Sequence, residues 1–160
     1  MNELESLGLV LAPKGKSPAY SFKAGQKAVD AKILAALKAE AAKVPGGAVR
    51  VNFHDDPQEP VHDMVIVLKR GPAVAPHKHL TRDETYHLIE GLLRLQFFDE
   101  SGNKTTSCLL GGPGTGNPLL YRVPKNTWHA TEPESDFAVF HESRPGPFDA
   151  ADTAISDWKR

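Results

Sequence analysis

Hydrophobic positions along the chain fall into two textures that meet at Pro45-Gly46-Gly47. Ahead of that stop, Gln26 to Lys43 is rich in Ala, Lys and Glu, and Val29, Ile33, Ala36, Leu37 and Ala41 recur at helical steps. Such spacing gathers the apolar side chains on one narrow stripe, so an amphipathic helix is expected, closed by Pro-Gly-Gly. Earlier still, Leu7 to Leu11 is an apolar run able to add a short strand to a sheet edge. Beyond Gly47 the pattern changes to short β-branched or aromatic runs: Val49 to His54, His62 to Lys69, Glu84 to Glu90, Leu92 to Asp99, Thr105 to Leu110, Leu119 to Val123 and Asp136 to Glu142. Gly, Pro, Asp and Asn separate them, which predicts an all-β sandwich or barrel. Asp99 to Asn103 carries turn chemistry and should make a hairpin of its flanking runs. Gly111 to Asn117 is glycine-rich, but no helical pattern follows it and no Lys stands at the phosphate-binding place, so it reads as a loop. The expected organisation is an N-terminal extension with a helix over residues 1–44, a β domain over 45–150 and a C-terminal tail over 151–160.

Length and charge narrow the function classes. With 160 residues the chain is sized for one core without disulfide support, and its formal net charge of -1 comes from intermixed acidic and basic residues. No basic stripe suited to a phosphate backbone is present, so nucleic acid is not an expected partner. Cys108, beside Leu109 and Leu110, reads as a small packed hydrophobe. The opening Met-Asn-Glu-Leu-Glu has neither a basic start nor a long apolar stretch, so a membrane span is not expected and the cytoplasm is the default compartment.

The candidate chemistry lies between Gly71 and Gly91. His77 and His79 are two apart, which on a strand puts both imidazoles on one face, and a turn at Thr81-Arg82-Asp83 can return Glu84 to the same side. A further candidate ligand is His129, reached through the turn residues Pro124-Lys125-Asn126. Together these segments resemble the two signature motifs of the cupin superfamily. The first matches at Gly71, His77, His79, Glu84 and Gly91, while the second has Asn126 where Gly is usual, and Asn also tolerates positive φ. Arg50 to His54, Pro76 to His79, Phe98 to Gly102 and Phe140 to Phe148 further resemble the WbuC family of cupin-fold metalloproteins, some of which are encoded among surface-polysaccharide genes. The resemblance implies a double-stranded β-helix (jelly-roll) barrel holding one divalent transition metal, Fe(II), Mn(II), Ni(II), Co(II) or Zn(II), on His77, His79, Glu84 and His129. Three imidazoles and a carboxylate suit these ions and leave positions open, as Lewis-acid or oxygen chemistry requires.

Strand alternation sorts the remaining candidates. If Glu84 faces the ion, Tyr86 and Leu88 share its face and His87 points away. Tyr86 and His141 are candidate catalytic groups. Arg50, Asn52 and His54 alternate in phase on one strand and Arg94 and Gln96 on another; whichever set faces the interior would suit a carboxylate, phosphate or sugar. Trp128 should turn away from the ion and pack in the core. The expected function is a metal-dependent enzyme acting on a small polar substrate, a sugar or organic acid, by oxygenation, isomerisation or elimination. A non-catalytic saccharide-binding or regulatory module is the alternative. Sheet-edge pairing makes a homodimer the expected assembly.

Overall fold

The computed structural model describes residues 2–12, 17–23, 25, 27–71 and 73–158. A short helix α1 (Glu3–Ser6) leads into β1 (Leu9–Leu11) and β2 (Ala19–Phe22), followed by α2 (Ala31–Lys43) and β3 (Ala48–Asn52). Then come β4 (Val61–Lys69), β5 (His77–His79), β6 (Glu84–Glu90), β7 (Leu92–Phe98), β8 (Lys104–Gly111), β9 (Leu120–Val123), β10 (Trp128–Pro133), β11 (Phe137–Pro145) and β12 (Thr153–Ile155). One sheet has seven strands in the order β1-β2-β3-β4-β11-β6-β9, and the other five in the order β12-β5-β10-β7-β8.

Helix α2 starts later than its Ala/Lys/Glu composition suggests because Asp30 caps it: Oδ1 accepts the Lys32 and Ile33 amides at 3.0 and 2.9 Å. Gln26 lies outside the described residues. Ile33, Ala36, Leu37 and Ala41 form the predicted buried stripe, and Val29 packs on the same core from just ahead of the helix. That stripe lies against Val49, Val51, Val65, Val67 and Val139, on the outer face of the larger sheet. β2 and β3 run parallel, joined by α2, so the helix acts as the crossover that covers this face. β1 pairs antiparallel with β2 at the sheet's edge, as Leu7 to Leu11 predicted.

A second core fills the space between the sheets. Leu68, Tyr86, Leu88 and Phe140 from the larger sheet meet Leu93, Leu95, Phe97 and Leu110 from the smaller one. Strand alternation therefore gives β3, β4 and β11 two buried faces, one toward α2 and one toward the interior. The β7-β8 hairpin forms as expected around Asp99, which accepts the Asn103 amide at 2.9 Å. Gly91 turns β6 into β7 at φ 85, and a Cβ there would stand 2.2 Å from the Phe137 carbonyl oxygen. Only glycine meets both demands.

Three strands escaped the hydrophobic pattern. β2 and β10 are interrupted by polar residues. Of residues 151–160, expected as a tail, Thr153–Ile155 form β12, which pairs with β5; residues 159 and 160 lie outside the described ones. Trp128 is not a core residue. It lies on the outer face of β10, donating from Nε1 to Glu100 at 2.8 Å, with the Trp158 ring 4.8 Å away and the Lys78 ammonium 4.8 Å from its centroid. The indole amine needs an acceptor, which the surface carboxylate supplies.

Candidate metal centre

β5, β6 and β10 bring the predicted ligands to one end of the interior. His77 pairs in register with His129 across β5 and β10, and their ring centroids are 4.4 Å apart. Asn126 adopts φ 58, the left-handed conformation expected for the residue standing where cupins have Gly, and its amide donates to the His79 carbonyl at 2.5 Å. That bond ties the turn ahead of β10 to the strand carrying the first two histidines. Donor atoms of His77, His79 and Glu84 lie within 4.8 Å of one another, a spacing at which they can hold a metal ion. His129 reaches the same place through Glu84, its Nε2 in close contact with Oε1, while His79 Nε2 is 3.3 Å from Oε2.

Each imidazole is oriented from behind. Nδ1 of His77 donates to the Ala75 carbonyl at 3.0 Å, and Nδ1 of His129 donates to the Thr127 carbonyl at 2.8 Å. A carbonyl can only accept, so these bonds put a proton on Nδ1 and turn Nε2 inward; without an ion, the Glu84 hydrogen bond also favours a proton on Nε2 of His129, which metal binding would displace. Nδ1 of His79 lies 3.1 Å from the Thr153 hydroxyl and 3.8 Å from the Asp152 carboxylate, which also accepts from the Thr81 amide and hydroxyl. The residues after 150 thus hold a ligand of the site. Glu84 is positioned by Tyr86, whose hydroxyl donates to Oε1 at 2.9 Å.

Burial and mutual charge set the protonation states. Burial, with His129 nearby, pushes His77 down to about 4, so it is neutral and available as a ligand at neutral pH. Burial alone would raise the Glu84 carboxyl, but hydrogen bonds from His129 and His79 hold it well below the usual carboxylate range. Burial beside the Glu84 charge keeps the Tyr86 phenol protonated far above its ordinary range. Glu142 is pushed up to about 7 by burial and then by the Glu84 charge, with Arg144 opposing.

A cavity of about 630 Å³ opens onto this centre, lined by His77, His79, Glu84 and Tyr86 and, from the larger sheet, by Arg50, Glu142 and Arg144. Arg50 is thus the inward-facing member of the predicted polar sets that reaches the cavity. Asn52 and His54 continue its row, His54 stacked on His62 at 4.0 Å, but neither lines the cavity. Arg94 and Gln96 must be removed from the candidate set. They alternate with the core residues Leu93, Leu95 and Phe97, so they point outward, where Arg94 meets Glu134 and Gln96 meets Glu132 in close contact. His141 is corrected for the same reason: it faces α2 and pairs with Asp63 at 3.2 Å. Its neighbours Glu142 and Arg144 take the interior positions instead. Strand alternation puts Glu142 on the face opposite His141, with Arg144 in the same phase, so parity along β11 is the signal that could have found them. His87 is exposed and points away, as expected.

A domain family of unknown function, DUF6016, matches residues 29–110, just over half of the chain. The chain belongs to this family. The matched part of the DUF6016 chain carries His77, His79 and Glu84, and His129 and β11 lie beyond it. No curated protein matches by sequence. Among solved structures, the fold is similar to protein SO0799 from Shewanella oneidensis, with TM-score 0.53 and 20% identity over 65% of this chain and 67% of that one. It is similar also to the capsular polysaccharide assembling protein CapF from Staphylococcus aureus, at 0.55 and 19% over 66% of this chain and 29% of that one. Oxalate decarboxylase from Bacillus subtilis gives 0.52 and 23% over 68% and 27%. The DUF6016 chain therefore spans under a third of these two longer proteins. At these identities the likeness shows the fold, a two-sheet cupin barrel, and no activity. Among the described residues, no helix is long and apolar enough to cross a membrane.

Proposed function

We propose that this chain is a divalent-metal-dependent enzyme acting on a small polar substrate in the 630 Å³ cavity, with His77, His79, Glu84 and His129 as ligands. The observation that carries the reading is the backing of the three imidazoles: each Nδ1 is tied to an oxygen, and the ring edges turned toward Glu84 are those left to coordinate. The donor set, three nitrogens and one carboxylate without thiolate, fits Fe(II), Mn(II), Ni(II), Co(II) or Zn(II). Bound there, such an ion supplies Lewis-acid or redox chemistry at a site that still has room for substrate.

The chain's own residues have distinct parts. Tyr86 fixes the Glu84 carboxylate and keeps its own proton. Asp152 and Thr153 fix His79. Glu142, with a pKa near neutrality, is the group placed to take or give a proton within the cavity. Three of the four segments that resemble the WbuC family support the same reading, because residues of each line this cavity: Arg50 from one, His77 and His79 from another, Glu142, Arg144 and Phe148 from the last.

The test is to strip the protein with chelator, reload it separately with each of the five ions, and assay small sugars and hydroxy or oxo acids for product. One ion per chain and product formation with a subset of ions is the expected result. Uptake of one ion with no turnover on any substrate would leave a binding module, and refusal of all five ions would remove the metal reading.

A further inference from the structure

The interior holds more positive charge than its ligand set needs. Arg50, on β3, and Arg144, on β11, reach the same cavity from strands separated by β4. The Nε atom of each guanidinium is buried without a hydrogen-bond partner, and no carboxylate oxygen among the described residues lies within 4.0 Å of either group. Arg144 Nη1 instead stands 3.5 Å from Nε2 of His79, the nitrogen offered to the ion. A guanidinium donates and a deprotonated imidazole nitrogen accepts, so this contact is at most a long hydrogen bond, and it gives Arg144 no counter-charge.

Charge counting points the same way. A divalent ion on neutral imidazoles and one carboxylate keeps net positive charge, and two guanidiniums add to it. Glu142 is the one carboxylate besides Glu84 among the described residues that line the cavity, and it can offset at most one charge. A half-buried guanidinium whose Nε is shut away without a partner is unfavourable until a ligand supplies an acceptor and a counter-charge. The outer part of the cavity is different: Val74, Phe148 and Ile155 are exposed there and apolar.

Resting on the metal-dependent reading above, we infer that Arg50 and Arg144 form an oxyanion subsite beside the metal ligands, which takes the carboxylate or phosphate of the substrate and directs that end inward past an apolar mouth. The substrate class is therefore a small oxyacid rather than a neutral sugar. The forked donors of Arg144 would hold the oxyanion next to the edge of His79 that faces the ion, so one molecule can meet both.

Calorimetric titration of the Co(II)-loaded protein with glycolate, inorganic phosphate and the neutral glycolamide tests this. Glycolate or phosphate should bind once per chain, and whichever binds more tightly identifies the anion type. Glycolamide should bind at least about tenfold more weakly, and Arg50→Gln or Arg144→Gln should weaken the anion by about ten- to a hundredfold with cobalt content unchanged. Arg50→Met and Arg144→Met should melt at the same temperature as the parent or higher when no anion is present, since each removes an unpaired buried charge. Glycolamide binding as well as glycolate, no binding of either anion, anion affinity indifferent to both arginines, or melting temperatures that fall in both Met variants would each overturn the subsite. Cobalt uptake and its visible spectrum report separately on the ligand set. Failure to take up the ion defeats the metal reading, while phosphate titration of the metal-free protein still measures the guanidiniums.

Discussion

β3 and β7 carry the same kind of polar row, Arg50 and Asn52 on one and Arg94 and Gln96 on the other, yet they behave as opposites. On β7 the row faces outward and each member meets a glutamate, Glu134 or Glu132, at the protein surface. On β3 the row faces inward, and both Arg50 Nε and Asn52 Oδ1 are buried without a partner. The apolar positions between them decide which is which. Val49 and Val51 are claimed by α2, which leaves the polar row of β3 to the interior, whereas Leu93 and Leu95 are claimed by the interior, which expels the row of β7. Polar groups satisfied by each other at a surface are a matter of solvation; polar groups without a protein partner inside are open to water or a ligand.

The contrast can be broken first at the centre itself. Glu84→Ala removes the carboxylate that His79 and His129 both approach, and ion affinity measured by competition with a chromophoric chelator should fall by at least about a hundredfold, beyond the range typical of an outer-shell change. Next comes Thr153→Val, which keeps the shape of β12 but removes the hydroxyl behind His79; a loss of roughly tenfold in the same competition is expected, with the melting temperature little changed. If β12 were only an edge strand, the ion would not register this substitution. The outward row gives the smaller effects. Arg94→Ala should cost about 0–1 kcal/mol in urea denaturation, the usual worth of a solvent-exposed pair, and leave ion content unaltered. Smallest of all, His141→Ala should change neither ion affinity nor turnover, because its side chain lies on the α2 side of β11; a drop in either would mean that the two faces of that strand communicate.

Much of this was legible before any coordinates. The helical stripe from Ile33 to Ala41, the β7-β8 hairpin and the convergence of His77, His79 and Glu84 all rest on short-range periodicity, which sequence displays directly. Asn126 at positive φ could be anticipated from its chemistry. What stayed hidden depends on long-range pairing. Nothing local distinguishes Arg50 from Arg94, since each sits in an alternating run and only the partner across the strand's other face assigns the direction. β12 was invisible for a related reason: Thr153–Ile155 is too short to show a period and becomes a strand only because β5 offers it an edge. His141 drew attention as an imidazole, although the same alternation that placed Glu142 opposite it already allowed the carboxylate to be the inward residue.

The position of β11 has a consequence for how the molecule assembles. It lies between β4 and β6, pairing with both, although β7, β8, β9 and β10 all come between β6 and it in sequence. Until Phe137–Pro145 slots in, the larger sheet exists as two separate pieces with open edges, and its closure must wait for contacts between distant parts of the chain. Non-local pairing of this kind slows folding in general, and strand edges left bare before closure would invite association between molecules. The same strand delivers Glu142 and Arg144, so the cavity acquires its charged wall in the step that seals the fold, and a partly folded chain has no working version of it.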